Sequence, residues 1–279
     1  MINKNSCNFE LPMKRLLKTL LFKFRYLTSN SRKLPDFIII GTQKGGTSSL
    51  FYYLRQHPDV KASTAKEVHY FDLNYNKGLN WYKSFFPLKS NTKITGEASP
   101  YYLFHPHVPA RIKKDIPNVK LIVMLRDPAK RAFSHYKMER RNGQDPLSTF
   151  EEAIEKEYER THEETVKLNN NPFYKSIPHR KFAYAARGLY YEQINNWLKY
   201  FDKSQFYFIK AEEFYANPQH EFNEVCKFLN LETVSNIDFS NRNEGAGGGL
   251  SEDTYQKVKA IFAEDNIKLA NLIGEKFNW

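Results

Sequence analysis

The 279-residue sequence predicts an α/β protein of three layers, a central parallel sheet flanked by helices. Residues 36–41 and 119–125 hold continuous apolar runs, at 37–40 and 121–125, not alternating ones, as strands covered on both faces require. Helical segments separate the strands, which is the order of a parallel sheet and not of hairpins. A hydrophobic fraction of 41% and an aromatic fraction of 15% supply a core. No internal repeat and no linker divides the chain, so residues 34–279 are expected to form one domain behind a basic arm, residues 1–33.

In chain order, residues 36–41 are the first strand and end in a glycine. After a Gly-rich turn, residues 47–56 are helical and stop near Pro58. Residues 60–63 read as a short strand and 67–71 as an edge or loop element. The aromatic and polar stretch 72–92 reads as a loop with a helical turn at Trp81. Residues 93–96 are a third strand, 106–115 a helix, and 119–125 the most strongly marked strand. Residues 128–141 follow as a helix with proline in its first turn. The Glu- and Lys-rich stretch 150–167 reads as an exposed helix with a solvated charged face. Asn169 to Pro172 mark a loop. Helices at 189–201, 218–229 and 252–274 and a strand at 206–210 complete the pattern, with residues 245–249 a flexible glycine loop.

The net charge of +11 is concentrated in the arm, where eight Lys or Arg face Glu10 alone; the remaining chain carries only +4. Basicity therefore predicts no nucleic-acid partner. On a helical wheel Met13, Leu16, Leu17, Leu20, Leu21, Phe24 and Leu27 share one face, and Lys14, Arg15, Lys18 and Arg25 another. Two placements fit residues 13–27: a peripheral helix on an anionic membrane surface, or a helix packing its apolar face on the domain. Lys18 and Lys23 interrupt the apolar region and no small-residue cleavage site follows, unlike a signal peptide. No apolar run reaches bilayer length. Cys7 and Cys226 read as free thiols in a reducing compartment. With the Lys- and Asn-rich composition, these features predict a bacterial protein of the cytoplasm, which the membrane placement of the arm would set at the inner face of the cell membrane.

The segment Gly41-Thr-Gln-Lys-Gly-Gly-Thr-Ser-Ser49, between a strand and a helix, is placed as a phosphate cradle. Against the nucleotide-kinase P-loop, Gly41 and Gly46 fill the framework glycine positions and Ser48 the hydroxyl position. Thr47 stands where the kinase lysine belongs, and a lysine comes three residues earlier, Lys44. From the loop apex Lys44 would neutralise a bridging oxygen in a shorter anhydride than a triphosphate. No strand-end carboxylate is free to hold magnesium, since Asp127 is wedged between Arg126 and Pro128. Arg126 at a strand end and Ser134 two helical turns later could converge on a second phosphate. Alternatively Arg126 pairs with a nearby acid and Ser134 is satisfied within its helix. Glu67, on the residues alone, reads as an ion-pair partner of Lys66 or Lys93.

Three segments resemble the signatures of the heparan-sulfate-type sulfotransferases and their bacterial relatives: Pro35 to Leu50, Lys66-Glu-Val-His-Tyr-Phe-Asp72, and Leu125-Arg-Asp-Pro-Ala-Lys-Arg-Ala-Phe-Ser-His-Tyr136. Gly188 to Phe201 resembles the family's later helix, and the likeness spans about residues 35–230. The resemblance implies a fold like a nucleotide kinase, the co-substrate 3′-phosphoadenosine 5′-phosphosulfate (PAPS), and no metal. It implies that Lys44, Gly45, Gly46, Thr47 and Ser48 hold the 5′-phosphosulfate, and Arg126 and Ser134 the 3′-phosphate. Glu67 matches the family's catalytic base. His69 would orient Glu67, bind the acceptor or act as base itself. The implied acceptor is a carbohydrate or glycolipid.

Two positions depart from the family. Ala98 stands where a lysine often follows the glutamate of Glu97-Ala-Ser-Pro-Tyr-Tyr102, and Arg242 to Gly249 lacks the usual basic character, leaving Arg242 or Arg187 as substitutes. Tyr70, Phe71, Trp81, Tyr82, Tyr101 and Tyr102 would stack on sugar rings or simply pack the core. An ATP-dependent small-molecule kinase and a non-catalytic membrane-surface or polyanion-binding protein are the competing readings.

Overall fold

In a computed structural model, which describes residues 7–89, 93–240 and 249–279, four parallel strands form one sheet in the order β2-β1-β3-β4. They are β1 (Phe37–Gly41), β2 (Gly96–Ala98), β3 (Lys120–Leu125) and β4 (Phe206–Lys210). Ile38 pairs with Glu97 on one side and Leu121 on the other, and Leu121 to Leu125 run beside Phe206 to Lys210. All of β1 is buried. Its side chains alternate between two cores. Ile38 and Ile40 join Leu121, Val123 and Leu125 on one face, while Phe37 and Ile39 join Ile122, Met124 and Ile209 on the other. Both faces are apolar, so the strands read as unbroken runs.

The helices are α1 (Cys7–Leu27), α2 (Thr47–Leu54), α3 (Tyr70–Leu73), α4 (Leu79–Lys83), α5 (Val108–Asp115), α6 (Pro128–Arg141), α7 (Phe150–Glu155), α8 (Glu157–Asn170), α9 (Ile177–Lys181), α10 (Tyr190–Leu198), α11 (Ala211–Ala216), α12 (Pro218–Leu229), α13 (Glu252–Ala260) and α14 (Ala263–Ile273). Val108 and Ile112 of α5, Tyr190, Ile194 and Trp197 of α10 and Leu269 of α14 cover the first face. Leu50 and Leu54 of α2 and Phe222, Val225 and Leu229 of α12 cover the second. A third cluster joins α6, α7 and α13 through Ala129, Tyr136, Phe150 and Val258. From β1 the chain passes to β2 on one side and then crosses to β3 on the other. The C-terminal ends of β1 and β3 thus flank a topological switch point, where open α/β sheets form a crevice.

Several expected elements differ. Residues 60–63 form only an isolated bridge, Val60 with Ile94, and the third strand begins at Gly96 and runs to Ala98. The 150–167 stretch breaks at Lys156 into α7 and α8, and it is not wholly solvated. Glu157 is buried because its carboxylate accepts from the amides of Ala185 and Ala186, at 2.6 and 2.8 Å. The last helix is likewise two, α13 and α14. Cys226 is free and buried in the second core, which pushes its thiol up to about 12. The side chains of Cys7, Met13, Lys14 and Arg15 lie outside the described residues, as do Arg242 and most of the glycine loop. The packing alternative for the arm fails: Leu16, Leu17, Leu20, Leu21, Phe24 and Leu27 of α1 are all exposed.

Candidate active site

The loop between β1 and α2 lies at the switch point. Lys44 and Gly46 take left-handed conformations, with φ of 69° and 104°. A Cβ on Gly45 would stand 2.8 Å from the Met124 carbonyl oxygen, and one on Gly46 would stand 2.9 Å from the Tyr215 hydroxyl. The loop is therefore pressed against the end of β3, where Thr42 N–H donates to Met124 O at 3.0 Å. Thr47 and Ser48 open α2, and amides in a first turn have no intrahelical acceptor and carry the positive end of the helix dipole. Lys44 is half-buried at the apex, with no ion-pair partner among the described residues. Burial holds its ammonium below the usual lysine range, and Arg141, Arg126, Lys66 and Lys137 push the same way. Cations gathered from three segments around an acid-free loop make a site for an anion.

Arg126 closes this site from the end of β3. Its Nη1 donates to Lys44 O at 2.9 Å, and Tyr190 Oη donates to the Arg126 carbonyl at 2.9 Å. Among the described residues Arg126 makes no ion pair, so the nearby-acid alternative does not hold. Asp127 instead caps α6: Oδ1 accepts from the amides of Ala129 and Lys130 and Oδ2 from Tyr255 Oη. Ser134 is half-buried two turns along α6. Its neighbour His135 is fully buried, and burial holds the ring far below the usual histidine range, reinforced by Arg187, Arg131 and Lys44. Arg187, also buried, donates through Nη1 to Gln43 Oε1 of the loop and through Nη2 to Arg180 O. Its guanidinium lies over the Tyr101 and Phe104 rings, 4.8 and 5.2 Å from their centroids.

Glu67 and His69 do not lie on an extended segment. Both are left-handed, with φ of 59° and 52°, and α3 starts immediately after them. Their side chains meet nonetheless: His69 Nε2 is 3.4 Å from Glu67 Oε2, and His69 Nδ1 donates to Asp72 Oδ2 at 2.6 Å. β2 holds this turn in place. Glu67 N–H donates to Ala98 O at 2.9 Å, and Tyr70 N–H to Tyr102 Oη at 2.9 Å. Tyr102 Oη donates in turn to the buried Glu97 carboxylate at 3.1 Å, which also accepts from Tyr82 and Ser99 at 2.6 and 2.8 Å.

Burial works against both charges of the Glu67–His69 pair, and hydrogen bonds override it. His69 and Lys66 hold the Glu67 carboxyl down to about 2. Asp72 and Glu67 raise His69 to about 10. The Glu67 side chain keeps 41% of its surface exposed, and its oxygen is also 2.8 Å from Lys66 Nζ, so the ion pair expected from sequence does form; Lys93 pairs instead with Asp59. Asp72 escaped the sequence reading as a functional residue. Its spacing of three from His69 is the only signal that could have flagged it, and only once the segment is known to be helical.

Ala98 is buried in the second core, so no charge enters the cleft from this position. Tyr70, Phe71, Tyr82, Tyr101 and Tyr102 are at most 4% exposed and belong to the packed interior, which corrects the sugar-stacking expectation for them. Tyr70 and Tyr82 stack on each other at 4.6 Å. Trp81 is half-buried and packs against Phe22 of α1 and Phe85.

Comparison with known proteins gives the family. The sulfotransferase domain family matches residues 34–243. Membrane-associated sulfotransferase kil1 of Dictyostelium discoideum is 29% identical over 313 residues, covering 88% of this chain and 66% of its own. Human heparan sulfate glucosamine 3-O-sulfotransferase 3B1 is 30% identical over 275 residues, covering 90% of this chain and 66% of its own. The chain thus spans just under two thirds of the length of these curated relatives. The crystal structure of a sulfotransferase from Alicyclobacillus acidocaldarius superposes with a TM-score of 0.70 at 31% identity, over 88% of this chain and 98% of that one. With its match over most of its length and its cationic strand-to-helix loop, the chain belongs to the sulfotransferase domain family.

Proposed function

We propose that the protein transfers the sulfonyl group of PAPS to a hydroxyl or amine of a carbohydrate or glycolipid. The observation that carries this reading is the cluster of cations around Lys44, namely Arg126, Lys137, Arg141 and Lys66, the last of them paired with the ionised Glu67. The pressed loop fits an anion approached by backbone, and Gly45 to Ser48 with Lys44 would bind the 5′-phosphosulfate. Arg126 and Ser134 would hold the 3′-phosphate. The acceptor oxygen or nitrogen attacks sulfur in line, the bond from sulfur to the bridging phosphate oxygen breaks, and adenosine 3′,5′-bisphosphate leaves. Lys44 stabilises the charge that develops on that oxygen. Glu67 takes the acceptor proton. Both ring nitrogens of His69 face carboxylates, so it serves as the cation that aims Glu67 and not as the base.

A sugar acceptor is supported by the names of the glucosamine 3-O-sulfotransferases that resemble the chain. Thr47 is buried at the kinase lysine position, which disfavours ATP as donor. The test is transfer of sulfur label from PAPS to a panel of saccharides and glycolipids in the presence of a chelator. Label on a saccharide is expected. A folded protein that labels none of them, or that phosphorylates them from ATP, sinks the reading.

A further inference from the structure

The first helix is fastened to the body by the side opposite its apolar face. Phe22 packs between Trp81 and Phe85, with ring centroids 6.4 and 5.5 Å away. Arg25 donates to the carbonyls of Ser84 and Phe86 at 2.5 and 2.8 Å. Arg32 completes the clamp, donating to Arg25 O at 3.0 Å and Phe86 O at 2.9 Å. The clamp fixes the outward orientation of Leu16, Leu17, Leu20, Leu21, Phe24 and Leu27, which are 53–81% exposed. Single exposed apolar residues are ordinary on protein surfaces, whereas six on one held helical face form a contiguous patch of the kind that marks an interaction site.

We propose that this face of α1 lies on the surface of an anionic lipid bilayer. Charge selects the occupant. Lys18 and Lys23 are exposed on the same helix, and residues 1–33 carry eight bases against one acid, although Arg25 and Arg32 are held in the clamp and Lys33 pairs with Asp36. Pairing two such arms in a dimer brings like charges together, while an anionic surface attracts each of them. Among the described residues no helix is long and apolar enough to cross a membrane, so α1 rests in the interface with its axis parallel to it.

The experiment is co-sedimentation of the full chain with vesicles of phosphatidylcholine alone and with roughly one third phosphatidylglycerol. Binding is expected only to the anionic vesicles and is expected to weaken as salt rises. The double variant Leu20→Glu, Leu21→Glu changes exposed residues and should keep the melting temperature while lowering the partition coefficient by at least about tenfold. Light scattering on both proteins completes the test. Absent vesicle binding, or equal binding by the double variant, overturns the proposal. So does a dimer that the double variant abolishes, which would assign the face to a second copy of the chain. None of these readouts depends on sulfonyl transfer.

Discussion

Replacing Asp72 with Asn probes the turn that presents Glu67. Asp72 is buried, and its two oxygens serve separate donors: Oδ2 accepts from His69 Nδ1 and Oδ1 from Leu73 N–H, each at 2.6 Å. Asn has one carbonyl oxygen, so one of those donors must face an NH2 group. A hydrogen bond to a charged group is worth about 1.5–3 kcal/mol, and Asp72→Asn should lose roughly that much in urea unfolding at about pH 6. The pH profile is the sharper readout. His69 stands at about 10 in the fold, against an ordinary value of 6.5, because Asp72 and Glu67 outweigh the burial that opposes its charge. A cation whose pKa is raised on folding stabilises fully below the unfolded value, and that contribution fades as pH climbs through the folded one. The unaltered protein should therefore lose stability between 6.5 and about 10, and Asp72→Asn should lose less. A facing charge at this distance accounts for about 1–3 pH units, so His69 of the variant should titrate lower by that amount in ring NMR spectra. Equal unfolding free energies at about pH 6, or superimposable profiles above it, would refute the coupling.

Three further substitutions follow from the loop. Lys44→Ala should lower kcat by about 10²–10³, the usual loss for a group that stabilises transition-state charge, while the melting temperature holds. Arg126→Ala should weaken adenosine 3′,5′-bisphosphate binding by about tenfold or more, read by calorimetry, with a smaller effect on kcat. Gly45→Ala drives a methyl to 2.8 Å from the Met124 carbonyl and should cost about 1–3 kcal/mol by thermal unfolding.

β1, β3 and the loop after β1 were legible in the sequence because burial on both faces leaves an unbroken apolar run, as at Phe37 to Ile40 and Leu121 to Leu125. The helices at Pro128–Arg141 and Pro218–Leu229 were legible for another reason: proline at the first turn follows a capping Asp127 or Asn217. β2 was misplaced because only three residues are paired and the central one is Glu97, whose burial rests on hydroxyls supplied by Tyr82, Ser99 and Tyr102. Polarity at that position hides a strand that tertiary hydrogen bonds make possible. Residues 67–71 read only as an edge or loop element because α3 has just four residues, too few to show a helical period. The outward face of α1 could not be read at all: a helical wheel shows that a face is apolar, and only the Phe22 and Arg25 contacts show which way it points.

Titrating the protein with adenosine 3′,5′-bisphosphate in a chelating buffer, and repeating the titration with Lys44→Ala, addresses the loop most directly. The cationic site around Lys44 predicts saturable binding without magnesium, weakened in the variant and falling with salt. A folded protein that ignores this nucleotide, or binds it equally well without the lysine, contradicts the assignment of residues 41–49.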